Sequence, residues 1–588
     1  MTSAEFYLFK MQLIIIWLDS SILELFTFLR RWNVKGRTCL LKRGRAALPK
    51  TRREEDGMRS VDELTAAELL DGLPSRVHEV YARFVRDIPD HPAFVEGGRS
   101  WSYRQFSEAV DAVTKDLADL GIRPGDRVMV ASENSVALGA MLFAASKLDA
   151  WGIAVNPRLS AREIDLIGTH SGARRVLFNA ALSKEAADHT SRVGAKIDAV
   201  GPFGGIGIGP LNADAQAEPV EKEGDLQVAG LLYTSGTTGA PKGVMLSHRN
   251  LLFTAKTSGI LRQSGPADRI YGVLPMSHIV GYSILLIATL MHGATLYVVA
   301  KADPAALAHA IAEEGITSLF GVPATYQRLL EHKAVEGIQR LERGKLRTIA
   351  VAGAPLDLDL KKRIEDEFGI PLLNNYGITE CSPGLSGVRS EHPVSDESVG
   401  PFLPGIEHRI VDRQGKKVAT GEVGELHVRG PNVMLGYYRA PDLTAVAIDS
   451  QGWFNTGDLA RVNGEGHLYI AGRTKELIIR SGFNVYPAEV EAVLNAHEQV
   501  VQSAVVGRSV DGNEEVVAFV QLLPGASVSA EDLKSYTAQQ LTSYKRPTEL
   551  IVLDALPSAS TGKILKHKLR EMAIERGAAK APDTVAAG

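Results

Sequence analysis

Cysteine is nearly missing from this sequence: Cys39 and Cys381 are the only two in 588 residues. That excludes a disulfide framework and a cysteine-built metal cluster, and it suits a reducing compartment. Positive charge is not in excess either. With 65 basic against 69 acidic residues the net charge is −4, so the chain lacks the field that nucleic-acid binding demands. A long apolar run is also absent from the N-terminal stretch "MQLIIIWLDSSILELFTFLRRW", where Asp19 and Glu24 interrupt the hydrophobic residues. Each would cost about 2.5–3.5 kcal/mol at a bilayer centre. The uncharged run at 11–18 is far shorter than a membrane span. A signal peptide fits poorly as well, because the charges fall inside the apolar run and no small-residue cleavage site follows.

The basic tract after that stretch, through "KTRREED", has no apolar period and favours disorder. Residues 1–57 are therefore expected to be disordered and apart from the folded body. They read as an over-read of the start site or a weak membrane-surface segment. The remainder is expected to be cytoplasmic, without a transmembrane span, with peripheral membrane contact as the most a membrane would see.

What the chain does have is length for more than one core and three textures in succession. From about 92 to 320, helical patterns such as "QFSEAVDAVTKDLADLGI" and "SVALGAMLFAASKLDA" alternate with the β-rich runs "RVMVAS", "RRVLFN", "TLYVVA" and "TSLFGV". That alternation predicts an α/β layered core. From about 395 to 470 short strands cut by Gly and Pro ("HRIVD", "GELHVRG", "HLYIAG") predict a β-rich subdomain. Beyond "GRTKELIIRSG", Pro487 suits the first position of a helix, and "VQSAVVG" and "EEVVAFVQLL" read as strands. Ser529 with Asp532 resembles a capping box. The expected fold is thus α/β: a large N-terminal domain (58–474) of layered sheets plus the β-rich subdomain, a small α+β C-terminal domain (475–575) on a hinge, and a tail (576–588). The segment "GGIGIGP" (204–210) lacks the third glycine of a dinucleotide fingerprint and is expected to be a loop or bulge.

The richest stretch is "YTSGTTGAPKGV" at 233–244, between two strand-like runs, "LQVAGLLY" and "GVMLS". Lys242 follows Pro241 and precedes Gly243, and no helix opens there, so this is not a Walker loop. Hairpins usually need only two to five loop residues. The surplus of small polar residues points to an anion grip, with glycines admitting a close approach, hydroxyls donating and Lys242 supplying charge.

The stretch resembles the signature of the adenylate-forming superfamily, which includes acyl-CoA synthetases, peptide-synthetase adenylation domains and luciferases. The resemblance spans roughly 60–575. It implies that Thr234, Ser235, Gly236, Thr237, Thr238, Gly239 and Lys242 hold the phosphates of ATP, with Thr238 also catalytic. "NNYGITE" (374–380) resembles the second block, implying that Tyr376 and Gly377 meet the adenine, Thr379 the α-phosphate, and Glu380 a Mg²⁺ ion and the catalysis. "WFNTGDL" (453–459) resembles the ribose block, with Asp458 accepting from both hydroxyls and Arg473 as its partner. "PSASTGKILK" (557–566) matches the last block, so Lys563 is expected to be the catalytic lysine.

His278 in "LPMSHIVGYS" matches the family histidine beside the acyl group, and Gly281, Gly353 and Gly384 are expected to shape the acyl pocket. "RSGFN" and "YKRP" imply coenzyme A contacts at Gly482, Tyr544 and Arg546, although Thr548 stands where family members often carry another basic residue. Lys475 stands at the hinge position. The implied activity is ATP-dependent carboxylic acid:CoA ligation, an acid–thiol ligase acting through an acyl-adenylate on a fatty or aryl acid with release of pyrophosphate and AMP, as monomer or homodimer. Alternatives are a stand-alone enzyme loading a carrier protein and a luciferase-like oxygenase.

Overall fold

A computed structural model describes residues 61–234, 242–481, 483–510, 513–558 and 564–580. The expected N-terminal extension, Ser235 to Gly239 of the glycine-rich loop, Gly482 and Lys563 lie outside the described residues.

Two eight-stranded sheets form the large N-terminal part. In the first, the parallel strands Arg127–Ala131, Trp151–Val155 and Val228–Thr234 sit beside one another, and Lys242–Ser247 returns antiparallel at Thr234↔Lys242. The second runs parallel through Thr295–Val298, Arg269–Gly272, Ser318–Gly321, Thr348–Val351 and Leu372–Gly377. Helix Val136–Lys147 is apolar around most of its circumference because it is enclosed on both sides. A side chain at Gly139 would meet Phe94 of the second sheet, and Leu142 packs on Gly152 of the first. Helix Tyr103–Asp119 instead shows one apolar stripe and starts on a reciprocal Ser102–Gln105 cap.

The β-rich subdomain is an antiparallel sheet of Glu407–Val411, Gly424–Arg429, Phe454–Val462 and Leu468–Arg473. The C-terminal unit pairs Val500–Val510 with Asn513–Leu522 antiparallel and adds Glu549–Leu553 in parallel. Its central strands are apolar without alternation because both faces are covered. Val505, Val516 and Ala518 pack towards Val490 and Leu494, while Val506, Val517 and Phe519 pack towards Leu569 and Ala573. The large α/β part, the β-rich subdomain and the smaller α+β unit follow the predicted order. Among the described residues no helix is long and apolar enough to cross a membrane.

Three expectations need correction. Residues 204–210 are mostly strand: Phe203–Ile208 pairs with both Arg175–Asn179 and Lys196–Val200. Its glycines serve close packing, since a Cβ at Gly207 would fall 2.4 Å from Thr190 Oγ1. The sequence "MRSVDELTAAELLDGLPSRVHEVYARFV" (58–85) reads as one regular amphipathic stretch, but from residue 61 on it breaks into short pieces, Ala66–Leu70 and Ala82–Asp87 among them, around Gly72 and Pro74. The last helix, Lys566–Lys580, runs past the tail boundary expected at 575.

Candidate active site

Several of the predicted site residues end parallel strands or follow their carboxyl ends, where open α/β sheets bind ligands. Thr234 ends one strand of the first sheet. In the second sheet, Gly272 leads to His278, Gly321 to Val322, Val351 to Gly353, and strand Leu372–Gly377 carries Tyr376 at its own end. Strand Gly384–Gly387 folds back antiparallel on that last strand, setting Gly377 opposite Gly384. Gly377 cannot be exchanged cheaply, because a Cβ there would lie 2.2 Å from the Pro383 carbonyl oxygen.

Asp458 and Arg473 lie opposite each other on adjacent antiparallel strands. Arg473 Nε sits 3.0 Å from Asp458 Oδ1, and Tyr376 donates its hydroxyl to Asp458 Oδ2 at 2.5 Å. Asp458 is 3% exposed. Burial, then the Asp458 charge, hold the Tyr376 phenol well above its ordinary pKa, so it stays a donor. Burial alone would lower the Arg473 pKa, but Asp458 and then Glu476 outweigh it and the net shift is upward.

Sequence reasoning missed Tyr437. Strand Gly436–Tyr437 pairs with the returning arm of the hairpin at Met245 and Val244. There the Tyr437 hydroxyl donates to Glu380 Oε1 at 2.9 Å, and Lys242 Nζ sits 5.1 Å from the centre of its ring. One tyrosine thereby joins the Gly-rich motif to the "YGITE" motif. Burial first, then Glu380, push its phenol pKa upward. A Gly-Tyr-Tyr triplet with no periodicity around it was the only local signal. The Thr379–Cys381 turn is pinned by Met434 N–H donating to the Glu380 carbonyl at 2.8 Å and by the Asn432 amide on the Cys381 and Gly384 carbonyls.

The acyl-side residues divide. His278 is exposed and lies two residues before a π-helical run, Val280–Ile287. Gly353 is exposed, and Gly384 lies where a Cβ would be 3.3 Å from Thr254 Cγ2. Gly281 differs from the pocket-wall expectation: a Cβ there would sit 2.0 Å from the Pro275 carbonyl oxygen, so this glycine lets the turn close.

The two segments expected at coenzyme A do meet. Phe483 and Tyr544 stack with centroids 4.7 Å apart at 22°, and Arg480 donates to the Arg546 carbonyl at 2.7 Å. Arg546 is exposed and donates Nε to the Leu541 carbonyl. Phe483 is 55% exposed, a large aromatic left on the surface beside the expected contacts. Lys475 lies in the single turn Thr474–Glu476, between the subdomain sheet and the C-terminal unit. Desolvation, then Arg473, lower its pKa, with Lys242 adding to the repulsion.

Residues 81–438 match the AMP-binding enzyme family, and 489–563 match the AMP-binding enzyme C-terminal domain. The chain belongs to the adenylate-forming superfamily. Among the family's characterised members, a feruloyl-CoA synthase from Amycolatopsis sp is 32% identical over 492 residues, covering 83% of this chain and 97% of the relative. A long-chain-fatty-acid–CoA ligase of Escherichia coli O157:H7 is 31% identical over 536 residues, covering 84% and 94%. Among solved structures, ATP-bound MatB from Rhodopseudomonas palustris superposes with TM-score 0.74 at 31% identity, over 84% of this chain and 98% of that one.

Proposed function

We propose that this adenylate-forming enzyme is an ATP-dependent carboxylic acid:CoA ligase. The observation that carries this reading is the junction just described: Tyr376 and Arg473 both engage the Asp458 carboxylate, while Tyr437 donates to Glu380 and lies under the Lys242 ammonium, all from motifs far apart in sequence. The first group suits a nucleoside, with an aromatic face beside a carboxylate that can accept from paired hydroxyls. The second suits the phosphates.

Glu380 offers the hard oxygen that Mg²⁺ prefers, and a single protein carboxylate fits an ion that keeps its waters and the substrate phosphates as its other ligands. When bound, the ion would neutralise charge on the departing pyrophosphate. Thr234 and Lys242 hold the phosphates from the hairpin. A carboxylate oxygen of the acid attacks the α-phosphorus in line, the bond to the β-phosphate oxygen breaks, and pyrophosphate leaves. The thiolate of coenzyme A then attacks the acyl carbon of the adenylate, and AMP departs with the bonding pair.

The C-terminal unit, beginning at Lys475, is the part that turns between these half-reactions. Its hinge turn is a single turn of three residues and borders a cavity of about 230 Å³ lined by Lys475, Gly507 and Arg570 among others. Lys475→Pro, which fixes the hinge φ, is expected to leave ATP–pyrophosphate exchange near wild type. It should slow thioester formation at least about tenfold. Equal loss of both half-reactions would remove Lys475 from the hinge.

The Phe483–Tyr544 stack is the platform for the nucleotide end of coenzyme A. Phe483→Ala is expected to raise the KM for coenzyme A about tenfold, the worth of one aromatic stacking contact. Pyrophosphate exchange should not change, and an unchanged KM would rule the platform out.

Relatives act on acids as different as ferulate and long-chain fatty acids, so the panel must span aryl and aliphatic carboxylates. ATP–pyrophosphate exchange across it, repeated as coenzyme-A-dependent AMP release, tests the reading. Exchange without coenzyme-A-dependent AMP release for any acid would overturn the choice of acceptor.

A further inference from the structure

A face of helix His248–Leu261 leads away from the expected acyl site to an arginine. Thr254, beside Gly384, is followed at four-residue steps by Ser258 and then by Arg262, which caps the helix. A rise of about 1.5 Å per residue puts Arg262 roughly 12 Å along from Thr254. Two other elements descend in the same direction. Val322, which lies 3.6 Å from a Cβ built at Gly353, is two strand residues (roughly 7 Å) from Phe320. The π-helical run after His278 carries Ile284. All three converge on one cavity of about 20 Å³, lined by Ser258, Arg262, Ile284, Thr289 and Phe320 among others.

This cavity holds two polar groups with unspent capacity. Thr289 is 1% exposed, and its hydroxyl has no hydrogen-bond partner among the described residues. Arg262 donates Nη1 to the Ser258 carbonyl at 3.2 Å and to Ser258 Oγ, and its guanidinium lies 4.9 Å over the Phe320 ring. No carboxylate among the described residues pairs with it, and the charge that acts on it is a second cation, Arg389. Burial, followed by Arg389, pulls its pKa down to about 10, so it remains charged at neutral pH. A partly buried cation without a counter-charge is costly unless something supplies one.

We propose that the acyl site continues down this face and ends on Arg262 and Thr289, so that the acid substrate carries a second oxyanion, such as a carboxylate, at its far end. The span along the three elements sets the separation of the two ends at roughly 7–12 Å. The cavity admits about one water-sized group, which suits a single oxygen of that oxyanion reaching the guanidinium and the threonine hydroxyl. Arginine's fixed fork is the donor set that such a group matches. This inference rests on the ligase reading and narrows its substrate class.

The test compares straight-chain α,ω-dicarboxylates with monocarboxylates of equal length in wild type, Arg262→Met, Arg262→Lys and Thr289→Val. Wild type is expected to favour a dicarboxylate of matching length. Arg262→Met should lower kcat/KM for that acid about tenfold to a hundredfold, the range of a charge-assisted hydrogen bond. The monocarboxylate should be unaffected or improved, with Arg262→Lys intermediate and Thr289→Val mildly impaired. Arg262→Met should melt no lower than wild type, because it removes an unneutralised cation. A lower melting point with unchanged selectivity would make Arg262 a structural residue and overturn the proposal. If no acid supports exchange, the ligase reading fails, and calorimetry of the same acids decides the subsite. Dicarboxylate binding lost in Arg262→Met supports it, and equal binding to both proteins overturns it.

Discussion

Asp458→Asn is expected to raise the KM for ATP by about 10²–10³, with a smaller change in kcat. The carboxylate sits between a tyrosine hydroxyl and an arginine Nε, one on each oxygen. An asparagine fills the same space but must turn an N–H towards one of these two donors. It also loses the charge with which the carboxylate would accept from the paired hydroxyls of a ribose. A hydrogen bond to a charged group contributes about 1.5–3 kcal/mol, so weakening two accounts for the predicted factor. The loss falls on ATP bound in ground state and transition state alike, which places it in KM. Stability should change little by comparison: the Arg473 side chain is 36% exposed, and an ion pair with one partner so solvated contributes modestly. ATP titrations of pyrophosphate exchange and a melting curve separate the outcomes. An unchanged KM with a large drop in melting temperature would make Asp458 a strut of the subdomain sheet.

The same residues show what a sequence can disclose. "WFNTGDL" and "GRTKE" are local strings, and each could be recognised alone. The strands they lie on place Asp458 opposite Arg473 through an antiparallel register spanning a turn of a few residues. Likewise the C-terminal strands were legible because burial on both faces leaves an unbroken apolar run. Where glycines pack against a neighbouring helix, as at Phe203–Ile208, the same composition that signals a loop also permits a crowded strand. Tyr437 and Arg262 were not legible at all. Each owes its place to an edge strand or to three converging elements, and a lone tyrosine or helix-capping arginine carries no spacing that reports such a meeting. The stacked Phe483 is half legible: its motif points to the neighbouring glycine, while its partner Tyr544 lies sixty-one positions on, in a separate motif.

Lys563→Ala is expected to abolish adenylation nearly completely, by about 10²–10³ or more in pyrophosphate exchange, while conversion of supplied acyl-adenylate to thioester proceeds near the wild-type rate. In the sequence Lys563 falls between Ser558 and Ile564, two residues joined by a bridge, and beside them Leu565 N–H donates to the Pro557 carbonyl at 2.8 Å. Three residues on, Lys566 is held 2.7 Å from Glu491 and 3.4 Å from Glu476, the first within the C-terminal unit and the second in the hinge turn. Its pKa is raised because the two carboxylates, Glu491 the larger, outweigh the desolvation that opposes them. The residues on either side of Lys563 are therefore anchored to the C-terminal unit and would move with it if that unit turns as proposed. On the proposed alternation, a lysine carried in this way would reach the reacting carboxylate and α-phosphate in one orientation and be withdrawn in the other. Its removal then spares the second half-reaction. Matching losses in both halves would mean that Lys563 stays at the reaction centre throughout, and the rotation of the C-terminal unit would have to be abandoned.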